Sequence, residues 1–218
     1  MTWTAAALAR AFLLLLPAAL TSAQDSVDAS ASPGTAALDS FLAEVDTFTA
    51  EFEQALTSSD GQLLDTATGT LSLKRPNRFL WRYETPIEQL VIADGEQLWM
   101  YDVELAQATV TPLDFDNPSS PAMLLSGERD VRDGFDVVED FASDGRDWVR
   151  LSPNTGGTDF RSVLIGFSDG LPVQLELVDG LDQVTSITFS GIAVNPDLSD
   201  SAFEFEPPSG VDVIGGEG

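Results

Sequence analysis

Two hydrophobic periods divide the chain. Leu38, Phe41, Leu42 and Val45 recur at three and four, the spacing that puts apolar side chains on one helix face. Phe48 ends that series and starts another. Phe48, Ala50 and Phe52 alternate with Thr49, Glu51 and Glu53, the period of a strand with one buried face. Similar alternation returns at 135–141, 147–151, 163–167, 173–177 and 185–189. Asp-Gly pairs stand at 60–61, 94–95, 133–134, 144–145, 169–170 and 179–180. Asp-Gly suits the type I′ hairpin turn, which needs positive φ at both central residues. Some of the six fit longer loops instead. The pattern predicts a meander of ten or more antiparallel strands. No repeat of fixed period is present, which argues against a propeller.

The segment 71–102, LSLKRPNRFLWRYETPIEQLVIADGEQLWMYD, is the most informative. Leu71, Leu73 and Arg75 fall on one side of a strand, and Phe79, Trp81 and Tyr83 on one side of the next. Trp99 and Tyr101 share a face of a third. For each aromatic alone, ordinary core packing is the simpler reading. Arg75 changes the picture, because an inward guanidinium needs acceptors or costs several kcal/mol. The C-terminal carbonyls of a covering helix are natural acceptors, since the helix dipole favours a cation there. The competing reading is a surface Arg at a strand end. Lys74, Arg78 and Arg82 alternate to the other face. They form either a docking spot for an acidic partner or charge protection of a strand edge.

One stretch breaks the β pattern. Residues 118–127, PSSPAMLLSG, carry cap residues, an early proline and a closing glycine, and predict a short apolar helix over 120–126. Met123, Leu124 and Leu125 lie on it, and a flexible methionine suits varied apolar guests. Further on, Asn195-Pro196 opens a turn, 198–202 forms one helical turn, and Phe203 and Phe205 make a last strand before Pro207-Pro208. The tail 209–218 is expected to be loose. The fold class is mainly β with short helices (α+β). A long sheet curls into an incomplete antiparallel β-barrel whose open mouth is covered by a helical lid, with a hydrophobic cavity between.

The N-terminus changes the compartment. Arg10, the apolar run 11–20 and Thr21-Ser22-Ala23 read as a secretory signal peptide over 1–23. Pro17 interrupts the run, which is short for a membrane span; a retained anchor helix is the alternative. Residues 24–35, QDSVDASASPGT, read as a disordered acidic leader. A single domain then occupies 36–214, with 215–218 as a loose end. Cleavage after Ala23 removes Arg10 and leaves 36 acidic against 9 basic residues, a net charge of −27. Such a chain repels phosphate backbones, which argues against nucleic acid as a partner. It contains no Cys, so a mature N-terminus cannot be lipidated.

Histidine is also absent. That removes His-based triads, thiol nucleophiles and most zinc or copper sites. Asp114-x-Asp116-Asn117 lacks the glycine and distal glutamate of a calcium loop and reads as a polar loop. There is no phosphate loop and no catalytic signature; neither metal nor cofactor is expected. A two-carboxylate hydrolase remains the alternative from another class.

The chain resembles the LolA family of periplasmic lipoprotein carriers from Leu38 to Ile214. The likeness rests on Phe48-x-Ala50-x-Phe52-x-Gln54, Lys74-Arg75-Pro76-Asn77, Asp94-Gly95 with Leu98-Trp99 and Tyr101, and Pro121 with Met123-Leu124-Leu125. Phe203-x-Phe205-x-Pro207-Pro208 and Gly210-Val211 close it. The resemblance implies a monomeric, non-enzymatic chaperone of the periplasm. It implies transfer of acylated lipoproteins from an inner-membrane ABC transporter to an outer-membrane receptor, LolB. A periplasmic lipid or glycolipid carrier or sensor of the same fold is the nearest alternative. The resemblance implies that Arg75 bonds the lid helix and that Phe79 lines the cavity. Leu42, Val45, Leu71, Leu73, Trp81, Tyr83, Val91, Met123 and Leu125 complete the expected acyl-chain wall. The acidic leader and the extreme charge depart from the family pattern. LolB is itself a lipoprotein, and the missing cysteine argues against that assignment. A stress sensor of the RseB type would carry a second domain.

Overall fold

The computed structural model describes residues 32–113, 121–127, 133–154 and 160–215. The expected signal peptide, most of the leader and the polar loop at 114–117 lie outside them. Helix α1 (Pro33–Glu44) is followed by β1 (Thr47–Thr57), β2 (Leu63–Lys74), β3 (Arg78–Thr85), β4 (Gln89–Asp94), β5 (Gln97–Asp102) and β6 (Gln107–Pro112). Helix α2 (Pro121–Ser126) precedes β7 (Phe135–Ser143), β8 (Arg146–Pro153), β9 (Phe160–Ser168), β10 (Leu171–Asp179) and β11 (Val184–Val194). A 3-10 turn (Asp200–Phe203) and β12 (Asp212–Gly215) end the described chain.

The twelve strands among the described residues form one sheet, ordered β12-β6-β5-β4-β3-β2-β1-β11-β10-β9-β8-β7. It is open, with β12 and β7 at its edges. Consecutive strands pair antiparallel within β1–β6 and within β7–β11, while β11 returns beside β1 and β12 lies parallel to β6. Asp144-Gly145 and Asp169-Gly170 have positive φ at both residues, as a type I′ turn requires. At Asp60-Gly61 and Asp94-Gly95 only the glycine does.

Alternation decides which side chains meet. Phe48, Ala50 and Phe52 stand opposite Leu73, Leu71 and Gly69. Leu71 and Leu73 in turn face Trp81 and Phe79. These residues share one inner face, and its core takes in Leu38, Phe41 and Val45 from the α1 segment and Ala122 to Leu125 from α2. Helix α1 packs on β7–β10 and α2 on β2 and β3. The outer face of β4–β6 has its own apolar patch, with Ile92, Ala108 and Val110 buried. Phe205 lies over Trp99 and Tyr101, each 5.3 Å away between ring centroids.

Three expectations are corrected. Phe203 ends the 3-10 turn and Phe205 lies in extended chain without sheet pairing, so they form no strand. Both are drawn onto the outer apolar patch instead. Within the tail, Asp212–Gly215 is a strand, held by parallel pairing with Gln107–Val110. Helix α1 begins at Pro33, inside the stretch expected as leader. Proline suits the first helical position because its missing N–H is not needed there.

Candidate functional site

The turn after β2 joins both helices to the sheet. Arg75 donates from Nε to the carbonyl of Val45 at 2.7 Å. Val45 caps α1, so the cation meets the negative end of the helix dipole. The guanidinium also lies 5.1 Å from the centroid of the Phe41 ring, within cation–π range. The backbone N–H of Arg75 donates to Asp46 O at 2.8 Å, and that of Asn77 to Ser126 O at 2.9 Å. Ser126 is the last residue of α2. Residues 75–77 therefore hold the C-terminal ends of both helices. Burial pushes the Arg75 pKa down to about 10, against an upward pull from Asp46.

Asn195 supplies bonds that sequence reasoning missed. Its Nδ2 donates to Glu44 O at 3.0 Å, and its Oδ1 accepts from the N–H groups of Asp46 and Thr47. The positive φ of Asn195, 53°, is a backbone state that asparagine tolerates. At the other end of α1, Asp140 on β7 accepts from the N–H groups of Gly34 and Thr35 at 3.0 and 2.8 Å. Those are donors that a helix start leaves unmatched. Gly34 is needed here because a Cβ would stand 2.2 Å from Trp148 O.

Of the expected wall, Leu71, Leu73, Phe79, Trp81, Val45, Met123 and Leu125 are buried. Leu42, Tyr83 and Val91 are partly buried and packed against the same core. Phe52 joins Trp81 and Tyr83 at centroid distances of 4.9 and 5.3 Å. Burial pushes the Tyr83 phenol up to about 12. Among the described residues, Arg75 Nη2, Trp81 Nε1 and Ser126 Oγ are buried without a hydrogen-bond partner. All three are donors, and each costs desolvation energy while unmatched.

The three cations read as a docking spot have different immediate neighbours. Lys74 donates to Leu198 O at 2.7 Å and pairs with Asp200 at 2.6 Å. Its ammonium holds the Asp200 carboxyl below the usual carboxylate range. Arg82 pairs with Glu88 at 3.3 Å. Arg78 lines a surface groove of about 410 Å³ with Asn77, Asp94, Glu96 and Glu204. No group of three or more His, Cys, Asp or Glu among the described residues is arranged to hold a metal ion. No helix among them is long and apolar enough to cross a membrane.

This architecture can be set beside known proteins. A family model described as outer membrane lipoprotein carrier protein LolA matches residues 43–206. The chain belongs to the LolA family. An outer-membrane lipoprotein carrier protein of Nitrosospira multiformis is 41% identical over 182 residues, covering 83% of this chain and 88% of the relative. One from Hahella chejuensis is 39% identical over 203 residues, covering 92% and 96%. A LolA superfamily protein from Nitrosomonas europaea shares the fold, with a TM-score of 0.50 at 13% identity, over 80% of this chain and 99% of that one. The LolA model spans β1 through the 3-10 turn, so it takes in the 75–77 turn, both helix C-termini and the inner aromatic face.

Proposed function

We propose that this chain carries acylated lipoproteins through the periplasm to the outer membrane. In this reading it is exported with cleavage after Ala23, and a short leader precedes one domain that opens with α1 at Pro33 and runs through β12 to Gly215. It receives cargo from an inner-membrane ABC transporter and delivers it to a receptor of the LolB type. It acts as a monomer without catalysis or cofactor. Helices α1 and α2 form a lid, Arg75 is its latch, and the inner face from Leu71 to Trp81 becomes the acyl-chain wall.

Family membership carries this reading, and the packing around residues 75–77 supports it. Each buried CH₂ contributes about 0.8 kcal/mol, so a multiply acylated protein does not leave a membrane unaided. A soluble carrier must offer comparable apolar surface and then release. Leu71, Leu73 and Phe79 are fully buried, so acyl chains reach that part of the wall only when the helices move away. Both helices are tied at one short turn, which lets a few hydrogen bonds set the balance between closed and open. An acylated guest also brings ester and amide oxygens, the acceptors that Arg75, Trp81 and Ser126 lack.

The test uses the purified protein with inner-membrane vesicles that hold lipoprotein, the releasing transporter and ATP. The expected product is a soluble one-to-one complex with acylated protein, seen by native mass spectrometry. Free lipid in its place means a lipid carrier of the same fold. Neither species in the soluble fraction refutes carriage.

A further inference from the structure

We propose a second, shallow acyl-chain groove on the inner face, running from Trp81 across β4, β5 and β6 to the sheet edge at β12. The proposal rests on the carrier reading and adds residues outside the buried wall. Register places Trp81 opposite Val91, Val91 opposite Met100, Met100 opposite Thr109, and Thr109 opposite Ile214. Directly paired residues point to the same side of a sheet, so the five form one continuous row.

Exposure along the row is graded. Trp81 is 2% exposed, Met100 45% and Ile214 52%. Val91 and Thr109 are intermediate. Helices α1 and α2 pack on β7–β10 and on β2 and β3, away from the outer half of this row. A largely apolar line, with Thr109 as its one hydroxyl-bearing member, thus leaves the core and reaches solvent at the edge.

The shape of the line selects its occupant. Two residues further along each strand, on the same face, stand Gln89, Asp102, Gln107 and Asp212. These polar residues bound the strip on one flank, about 6.8 Å from the row. On the other flank, Phe79, Ala93 and Leu98 continue the buried core and Thr111 ends it at β6. Only Met100 and Ile214 therefore present an exposed apolar surface, one residue wide, on β5 to β12. Four strand spacings of about 4.8 Å make the whole row roughly 19 Å long. A broad apolar protein surface would bury Asp102 and Asp212 against it, at the cost of unpaired charge. A single saturated chain lies along the strip and leaves both carboxylates in water. The same carboxylates disfavour a free fatty acid and favour a chain held by ester or amide linkage. Met100, unbranched and polarisable, adapts to such a guest. One chain of a multiply acylated cargo lies here while the others occupy the wall beneath the helices.

The full chain lacks cysteine, so single thiols report on single positions. The experiment compares Met100→Cys, Ile214→Cys and Leu181→Cys, each cargo-free and loaded with a synthetic triacylated lipopeptide. The rate of maleimide labelling is measured. Leu181, 74% exposed on the β10–β11 hairpin, serves as the control. Loading should slow labelling at 100 and 214 at least tenfold and leave 181 unchanged. Unchanged rates at either 100 or 214 in a complex that demonstrably forms overturn the groove and leave the carrier reading intact. Protection that appears in the cargo-free protein and grows with its concentration assigns the row to a second copy and also overturns the groove. If the wild-type chain forms no complex with the lipopeptide, both readings fall.

Discussion

Arg75 donates its Nε–H to the main-chain oxygen of Val45 at 2.7 Å, bridging 30 residues of chain to the C-terminal end of α1. The same guanidinium has one buried nitrogen without a partner. The bond therefore holds the C-terminal end of α1 to the turn after β2 while the site as a whole carries an unmet donor.

Arg75→Leu separates those two effects. Losing the charged donor leaves the Val45 carbonyl unmatched, a local cost of about 1–3 kcal/mol. Removing the buried cation offsets part of that in global stability, as replacement of buried charge by apolar groups often does. The urea midpoint should move little, while ANS binding to the cargo-free protein should rise severalfold. ANS binding equal to wild type would assign the closure of α1 to Asn195 and its neighbours.

Phe79 is fully buried, paired across the sheet with Leu73 and Ala93. Phe79→Glu places a carboxylate where water does not reach, so a loss of several kcal/mol of stability is expected. Transfer of lipoprotein out of membranes should fail. Phe79→Leu keeps the site apolar and should retain transfer with about 1 kcal/mol of destabilisation. Full transfer by the Glu variant would remove Phe79 from the acyl-chain wall.

Tyr83 gives a pH signature. Its folded pKa is raised from 10.0 to about 12 by burial. Between those values the folded state holds a proton that the unfolded chain has lost. Stability from this group is thus complete below pH 10 and declines as pH rises toward 12, by at most about 2–3 kcal/mol. Urea unfolding at several pH values across that window should show a steeper decline for wild type than for Tyr83→Phe. Parallel curves would mean that the phenol is hydrated in the folded protein.

Much of this was legible in the sequence, where contacts are set by local period. The α1 stripe and the paired faces of β2 and β3 follow from spacing of two to four residues, whereas spacing alone leaves Arg75 between an inward cation and a surface Arg at a strand end. The misreadings arise where distant segments decide. Phe203 and Phe205 have the spacing of a strand, but Trp99, Tyr101 and Ile92 offer an outer surface that captures them without pairing. Val213 and Ile214 looked like tail because their partner, β6, lies about a hundred residues earlier. Asn195 read as a turn former, and nothing near it in sequence shows that its amide reaches Glu44 and Asp46.

Asp140 is the other long-range anchor of α1, and it leads to a test of how that helix moves. Ser32 provides no side-chain cap. The carboxylate from β7, 106 residues away, accepts from Gly34 N–H instead, with a favourable charge at the positive end of the dipole. Asp140→Ala should lower stability by about 1 kcal/mol and speed hydrogen exchange in the first turn of α1. Arg75→Leu should speed it in the last turn. If α1 leaves the sheet as a rigid body, either variant weakens the whole contact and the double variant departs from additivity, since both act on one element. If it peels from the end at Val45, Asp140→Ala raises ANS binding far less than Arg75→Leu, and the two effects add. The C-terminal end of the helix bonds Arg75 and Asn195, whereas among the described residues Asp140 alone supplies side-chain acceptors at its N-terminal end. Peeling from the end at Gly34 therefore breaks fewer bonds. On that count Asp140→Ala should raise ANS binding at least as much as Arg75→Leu, and the reverse order would place the opening end at Arg75.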